Sequence, residues 1–361
     1  MSRKAPGTGA APGHGAAPRW WHPECLAARL PTLELRGRVT AAIRAHFREQ
    51  GFSEVETPGL QISPGMEPHI MALSAELHEP LGGGARRLYL HTSPEFAMKK
   101  LLAAGLTAIF QLARVWRDGE RSPLHHPEFT LLEWYRAGMT YGQLIEDCVL
   151  LLRRAAQAAE VAMLRRGEHH CDPFAAPEIL TVAQAFQRRC GIDLLATAPN
   201  PLQPDRDRLA AEAKHIGLHV GDGDSWEDVF HRIMLERIEP HLGQGAPTFL
   251  TEYPLPLAAL ARPSARDPRV AERFELYACG VELANAFGEL TDPAEQRRRF
   301  EAEMAEKARV YGECYPIDEE LIAALAEMPP ASGGALGFDR LVMLATGATH
   351  IEQVLWTPLP D

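Results

Sequence analysis

The chain has little of what marks membrane, secreted or nucleic-acid-coating proteins. Across its 361 residues no apolar run approaches the ~18–20 residues of a membrane span, so no membrane association is expected. The N-terminal stretch MSRKAPGTGAAPGHGAAPRWWHP lacks the apolar centre of a signal peptide. Its Gly/Pro/Ala bias reads as a flexible low-complexity tail over residues 1–18, ahead of one domain over 19–361. Short paired cysteine spacings are missing too: Cys25, Cys148, Cys171, Cys190, Cys279 and Cys314 lie scattered. That argues against a structural zinc site or a disulfide framework and predicts a reducing, cytoplasmic setting. His169-His170-Cys171, the nearest thing to a ligand cluster, reads as a polar loop. Positive charge is in deficit: 37 Lys and Arg against 48 Asp and Glu leave −11, so no global basic field draws in a nucleic acid.

What is present alternates between helix and strand periodicity. Leu35, Val39, Ile43 and Phe47 form a helical stripe that Gly51 closes. SEVETPGL turns extended, RRLYLHTS reads as a strand, and PEFAMKKLLAAG reads as a helix with proline in its first turn. Strands are expected in TAIFQLARVWRDGE and EFTLLEWYRAG, separated by the polar loop RSPLHH, with a long helix following from about Tyr141 to Arg166. Strand character returns in PTFLTEYPLP and RFELYACGVELANAFGEL. A charged helix covers roughly residues 293–312, and SGGALGFDRLVMLATG reads as a glycine-rich turn into a last helix. Such a mixture predicts an α+β domain rather than a doubly wound parallel sheet.

The chemistry gathers in a few stretches. HHPEFTLLEWY looks at first like a metal cluster. As a strand, however, it puts Phe129, Leu131, Glu133 and Tyr135 on one face and Thr130, Leu132 and Trp134 on the other. The first face offers an aromatic plate, a carboxylate and a phenol, suited to a flat ring and a cation. In VELANAFGEL, Asn285, Phe287 and Glu289 share a face by the same parity. Two pocket carboxylates, Glu133 and Glu289, would favour an ammonium, because unpaired buried carboxylates are costly. Glu275 and Glu282 suit Mg²⁺, a hard cation that takes oxygen ligands beside a phosphate. In a regular strand Glu282 has the wrong parity for the Asn285 face, so either a bulge intervenes or it points elsewhere. Arg117 and Arg340 offer planar donor forks for phosphate. GGALGFDR matches neither the phosphate loop ending in GK[ST] nor the dinucleotide fingerprint.

In order along the chain, GFSEVETP after a helix, VWRDGERSPLHHPEFTLLEWY and GALGFDRLVML resemble the three motifs of class II aminoacyl-tRNA synthetases. TSPEFAMK, TEYP and ERFELYACGVELANAFGELTD are similar to the lysyl branch. Only 34 residues precede the first motif, against the roughly 100 of an anticodon-binding barrel, so no direct anticodon recognition of tRNA is expected. The shortened arrangement resembles the elongation factor P–(R)-β-lysine ligase family. Ser93 beside Glu95, and Ala335 where lysyl-tRNA synthetases carry glycine, agree with that likeness.

The resemblance implies a class II synthetase-like antiparallel sheet of six or seven strands flanked by helices, working as a homodimer whose first motif carries Pro58. It implies ATP and Mg²⁺ as cofactors, (R)-β-lysine as substrate and elongation factor P as partner. Arg117 would grip the α-phosphate, and Phe129 and Arg340 would sandwich adenine. Asp118, Gly119, Glu120, Leu283 and Gly337, with His125 or His126, would lie around the nucleotide. Glu275 and Glu282 would hold the metal. Ser93, Pro94, Glu95, Glu133, Tyr135, Asn285, Phe287, Glu289 and Ala335 would surround the amino acid. One departure stands out: Gly119 lies two residues after Arg117, where the family has glutamate, so adenine is read by Glu120 or by backbone at Asp118–Gly119. An α-lysine-activating enzyme and a non-catalytic lysine-binding paralogue are the competing readings.

Overall fold

A computed structural model describes residues 20–80, 83–258 and 260–359; the expected tail over 1–18 lies outside the described residues. The elements run α1 (Pro23–Glu49), β1 (Ser53–Glu54), β2 (Leu60–Gln61), β3 (Ser74–His78), β4 (Ala85–Leu90), α2 (Glu95–Ala103), β5 (Ala108–Trp116), β6 (Glu128–Ala137) and α3 (Tyr141–Ala159). They continue with β7 (Leu164–Arg166), β8 (His169–Cys171), β9 (Glu178–Thr181), α4 (Val182–Cys190), α5 (Arg206–His215), α6 (Trp226–Ile233) and β10 (Thr248–Thr251). The last are β11 (Arg273–Ala278), β12 (Val281–Gly288), α7 (Pro293–Tyr311), α8 (Glu319–Leu325), β13 (Ala331–Gly337) and α9 (Phe338–Thr346).

One eight-stranded sheet, ordered β1-β5-β6-β13-β12-β11-β10-β9, organises the molecule. Its interior pairs are antiparallel, whereas β1 on β5 and β9 on β10 are parallel. The sheet therefore exceeds the expected six or seven strands by gaining short parallel edges. The even-numbered residues of β6 face one core: Leu132 and Trp134 are fully buried there with Val39, Ile43 and Phe47 of α1 and Leu151 of α3. A second core, built from α4–α6 and the β9–β10 edge, forms a lobe beside the sheet. A third packs α2, α7 and α8 together, with Phe96, Phe300 and Leu321 at its centre.

Three local readings are corrected. The helix expected to reach Arg166 stops at Ala159, because Glu160 takes a left-handed φ of 57° and the chain then forms the β7–β8 hairpin. Consequently His169-His170-Cys171 is a strand rather than a loop, with Cys171 buried against Leu164. The stretch expected as a glycine-rich turn is β13, in the middle of the sheet. Its glycines make room for β6. A Cβ on Gly333 would lie 2.3 Å from the Tyr135 ring, and one on Gly334 would lie 3.0 Å from Trp134.

Behind the sheet, Arg36 of α1 is buried and ion-paired with Asp339 of α9. It donates to Thr130 Oγ1 at 2.9 Å, and Asp339 Oδ2 accepts from the Thr130 N–H at 2.8 Å. This junction locks α1, β6 and α9 together and fixes the start of the helix that carries Arg340.

Candidate active site

The face opposite Trp134 lines a cavity of about 710 Å³. Phe129, Leu131, Glu133 and Tyr135 all line it, as period two on β6 predicts. From β12 come Glu282, Leu283, Asn285 and Phe287, and from β13 and α9 come Ala335, Gly337 and Arg340. Glu282 reaches the cavity because β12 bulges: Glu282 pairs with Tyr277, Ala284 with Leu276, and Leu283 is the extra residue between. Of the expected residues, Pro94, Asp118, Gly119 and Glu289 do not line the cavity. Pro94 caps α2, and Asp118 bridges to Met71.

At one end the cavity floor is acidic. Glu133, 1% exposed, accepts from Ser93 Oγ and from the Tyr135 hydroxyl, both at 2.6 Å. These donors are neutral, so burial first and Glu95 second push the Glu133 carboxyl up to about 8 despite them. Burial likewise raises Glu95, and takes Glu289 up to about 8. Between these last two sits a residue that sequence reasoning missed. Lys99 Nζ lies 2.6 Å from Glu95 Oε1 and 2.6 Å from Glu289 Oε2. Burial works against its charge, but the Glu289 and Glu95 carboxylates together raise its pKa. Glu95 and Lys99 are i,i+4 on one helix, a signal legible in sequence; the pairing with Glu289 is not.

At the other end the lining is cationic and aromatic. Arg117 lies over the Phe129 ring at 5.2 Å and is 3.8 Å from Glu120, and its buried Nε has no hydrogen-bond partner among the described residues. Arg340 donates to the carbonyls of Glu282 at 2.9 Å and Leu124 at 3.3 Å, and its Nη2 meets His125 Nε2 at 2.7 Å. An arginine can only donate, so His125 Nε2 accepts and Nδ1 carries the proton toward Ser122 Oγ, 2.7 Å away. Burial and then Arg340 depress the His125 pKa, which agrees with a neutral ring. His126 is turned instead to backbone, contacting the Glu128 carbonyl at 2.6 Å and the Leu359 N–H at 3.3 Å.

The two carboxylates expected at a metal differ in their surroundings. Glu275 accepts from Tyr253 at 2.5 Å, Tyr277 at 2.7 Å and Arg273 at 2.8 Å, using three of about four acceptor positions of a carboxylate. Among the described residues Glu282 makes a single ion pair, to Arg340 at 3.9 Å; desolvation and then Glu275 push it up to about 7. Glu239, also overlooked in the sequence, is raised to about 7 by burial, then by Glu275 and Glu282. No group of three or more potential metal-ligating side chains occurs among the described residues. A hard cation held by one or two carboxylates and completed by substrate phosphates nevertheless fits this donor set.

Ala335 has Glu133 and Asn285 as its cross-strand neighbours on either side. Its methyl group therefore stands between Glu133 of the acidic floor and Asn285. No helix among the described residues is long and apolar enough to cross a membrane.

A largely antiparallel sheet whose cavity sets Arg117 and Arg340 against an acidic floor defines a class of enzyme, and sequence comparison agrees with it. The chain belongs to the class II tRNA synthetases (D, K and N), whose family model matches residues 28–360. Within that family it is similar to the elongation factor P–(R)-β-lysine ligase of Klebsiella pneumoniae strain 342, with 40% identity over 338 residues, 93% of this chain and 96% of the relative. The ligase of the same description from Haemophilus ducreyi is 38% identical over 336 residues, 93% and 95% of the two chains. That of Salmonella paratyphi B is 38% identical over 338 residues, 93% and 96%.

Proposed function

We propose that the chain activates (R)-β-lysine with ATP and transfers it to a lysine side chain of elongation factor P. The observation that carries this reading is the division of one cavity into a cationic, aromatic end and a carboxylate floor, in a chain 40% identical to a ligase of that description.

In the first step a substrate carboxylate oxygen attacks the α-phosphorus, a P–O bond forms, and the bond to pyrophosphate breaks. Arg117, with an uncommitted Nε, stabilises charge on the α-phosphate. Phe129 and Arg340 hold the adenine, and His125, neutral and pinned by Arg340, lies at the nucleotide while His126 serves the backbone. Glu120 lines the cavity whereas Asp118 and Gly119 do not, which favours its side chain for reading adenine. Glu282 and Glu275 would hold Mg²⁺, which when bound would neutralise phosphate charge. Glu133, with Ser93 and Tyr135, receives the distal ammonium, and Glu95 orients the nearer one. In the second step the acceptor amine attacks the acyl carbon, a C–N bond forms, the C–O bond to AMP breaks, and the amine loses a proton. Catalysis here is positioning and electrostatics, with no protein nucleophile.

The same reading takes the enzyme to be a cytoplasmic homodimer joined through the α1–β1 region. Ala335 supports (R)-β-lysine over α-lysine, because a methyl between Glu133 and Asn285 shifts where the substrate backbone rests; small steric changes alter selectivity by ~1–3 kcal/mol. ATP–pyrophosphate exchange with the two isomers tests this. Preference for (R)-β-lysine is expected; preference for α-lysine together with tRNA charging would replace the proposal by the α-lysine reading.

A further inference from the structure

One wall of the cavity is a loop between β2 and β3, whose residues Glu67, Pro68, His69 and Ile70 face the open space. Lys307, near the end of α7, is 0% exposed and is buried against this loop. Its ammonium donates to the Ile70 carbonyl at 2.7 Å and the Pro68 carbonyl at 2.9 Å, and lies 3.3 Å from Met71 Sδ. The Tyr315 ring centre sits 4.7 Å from it and that of Tyr311 5.7 Å. No carboxylate is hydrogen-bonded to it among the described residues; burial lowers its pKa, and Glu313 and Glu67 act against that from farther away. An apolar residue would pack here at less cost, but it could not hold two carbonyls. The tyrosines extend the same grip. The Ala72 N–H donates to the Tyr315 hydroxyl at 2.8 Å, and His69 Nδ1 meets the Tyr311 hydroxyl at 3.0 Å.

The other side of the loop holds the turn that carries Arg117. The Met71 carbonyl accepts from the Asp118 N–H at 2.8 Å, and the two residues form an isolated antiparallel bridge. The chain turns directly afterwards, at Gly119, with a left-handed φ of 76°. Arg117 has a buried Nε without a hydrogen-bond partner among the described residues, so the backbone of this turn bears much of its aim.

We propose that Lys307 is a positioning residue for the activation step: it holds the loop over residues 68–72 where Met71 can capture Asp118, and so aims Arg117 into the cavity. The inference rests on the activation reading above, in which Arg117 meets the α-phosphate. Lys307 itself does not line the cavity. Its ammonium sets the loop through two carbonyls, the loop sets the turn through one main-chain hydrogen bond, and the turn sets the guanidinium. A shift of about 1 Å at reacting groups can cost on the order of 100-fold in rate, so a modest loosening of the loop is readable.

The test is Lys307→Met, which keeps the length of the side chain and removes its charge and donors. Amide hydrogen exchange of the full chain should become about tenfold or more faster at Asp118 and Ala72. The Thr130 N–H, held by Asp339 behind the sheet, should keep its wild-type rate. ATP–pyrophosphate exchange with (R)-β-lysine should fall about tenfold in kcat/KM when Arg117 is present, and less than about twofold when it is already alanine, because the two residues act as a unit. A lysine that merely stabilised the fold would give equal losses in both backgrounds. Equal losses, or unchanged exchange at Asp118, would overturn the proposal. If Lys307→Met does not fold, Tyr315→Phe removes the acceptor of the Ala72 N–H and should speed the same two amides; unchanged rates there would overturn it as well. Full activity in Arg117→Ala would sink the activation reading, whereas the Asp118 amide would still decide the role of Lys307, so the two failures are distinguishable.

Discussion

Replacing Glu133 by glutamine should make the protein more stable and its pocket worse. Glu133 is buried at 1% exposure and is raised from an ordinary 4.5 to about 8. The folded state therefore binds a proton that the unfolded state releases between these two values. Stability falls as pH rises through that window, because the unfolded chain gains charge that the folded one resists. At about 1.4 kcal/mol per pH unit, the penalty at pH 7 amounts to about 3 kcal/mol, and it reaches at most about 5 kcal/mol above pH 8. Glutamine keeps the shape and an oxygen for one of the two hydroxyl donors, and the other hydroxyl can turn to accept from its amide. Urea unfolding of Glu133→Gln and wild type at pH 5 and pH 8 reads the difference. The variant should exceed the wild type by about 2–5 kcal/mol at pH 8 and by little at pH 5. Its KM for (R)-β-lysine should rise, since it offers the distal ammonium no charge. An equal or less stable variant at pH 8, or a gap that does not change with pH, would refute the reasoning.

Other substitutions probe other parts. Arg117→Ala should lower ATP–pyrophosphate exchange by about 100-fold or more while leaving the unfolding midpoint nearly unchanged; retained exchange would remove it from the phosphate site. Gly333→Ala puts a methyl 2.3 Å from the Tyr135 ring and should destabilise the fold by about 1–3 kcal/mol while raising KM for the amino acid; a neutral effect on both would show that β13 and β6 are not held as described. Arg36→Met strands Asp339 in the core and should cost about 3–5 kcal/mol in urea unfolding, an effect that an exposed pair could not produce.

The alternation of β6 was legible because one face is core and the other is cavity: Trp134 and Leu132 against Tyr135 and Glu133 need only period two. The parity conflict at Glu282 was also legible, and the bulge at Leu283 resolves it. β13 was not legible, since glycines have little strand preference and their reason lies on β6, where Tyr135 and Trp134 fill the space that side chains would take. Nor was the β7–β8 hairpin, because periodicity in the preceding helix gives no sign of the left-handed turn at Glu160. At the site, the residues that line the cavity could be picked out by motif, but the state of charge could not. Lys99 gains its meaning from Glu289, brought to it from β12's far end, and Glu239 from its approach to Glu275.

Intact-mass analysis of elongation factor P after incubation with the enzyme, ATP and (R)-β-lysine tests the central claim most directly. The account predicts a gain of one lysyl unit that requires ATP, is lost in Arg117→Ala, and is much slower with α-lysine. An unchanged mass, alongside active exchange or tRNA charging with α-lysine, would contradict it.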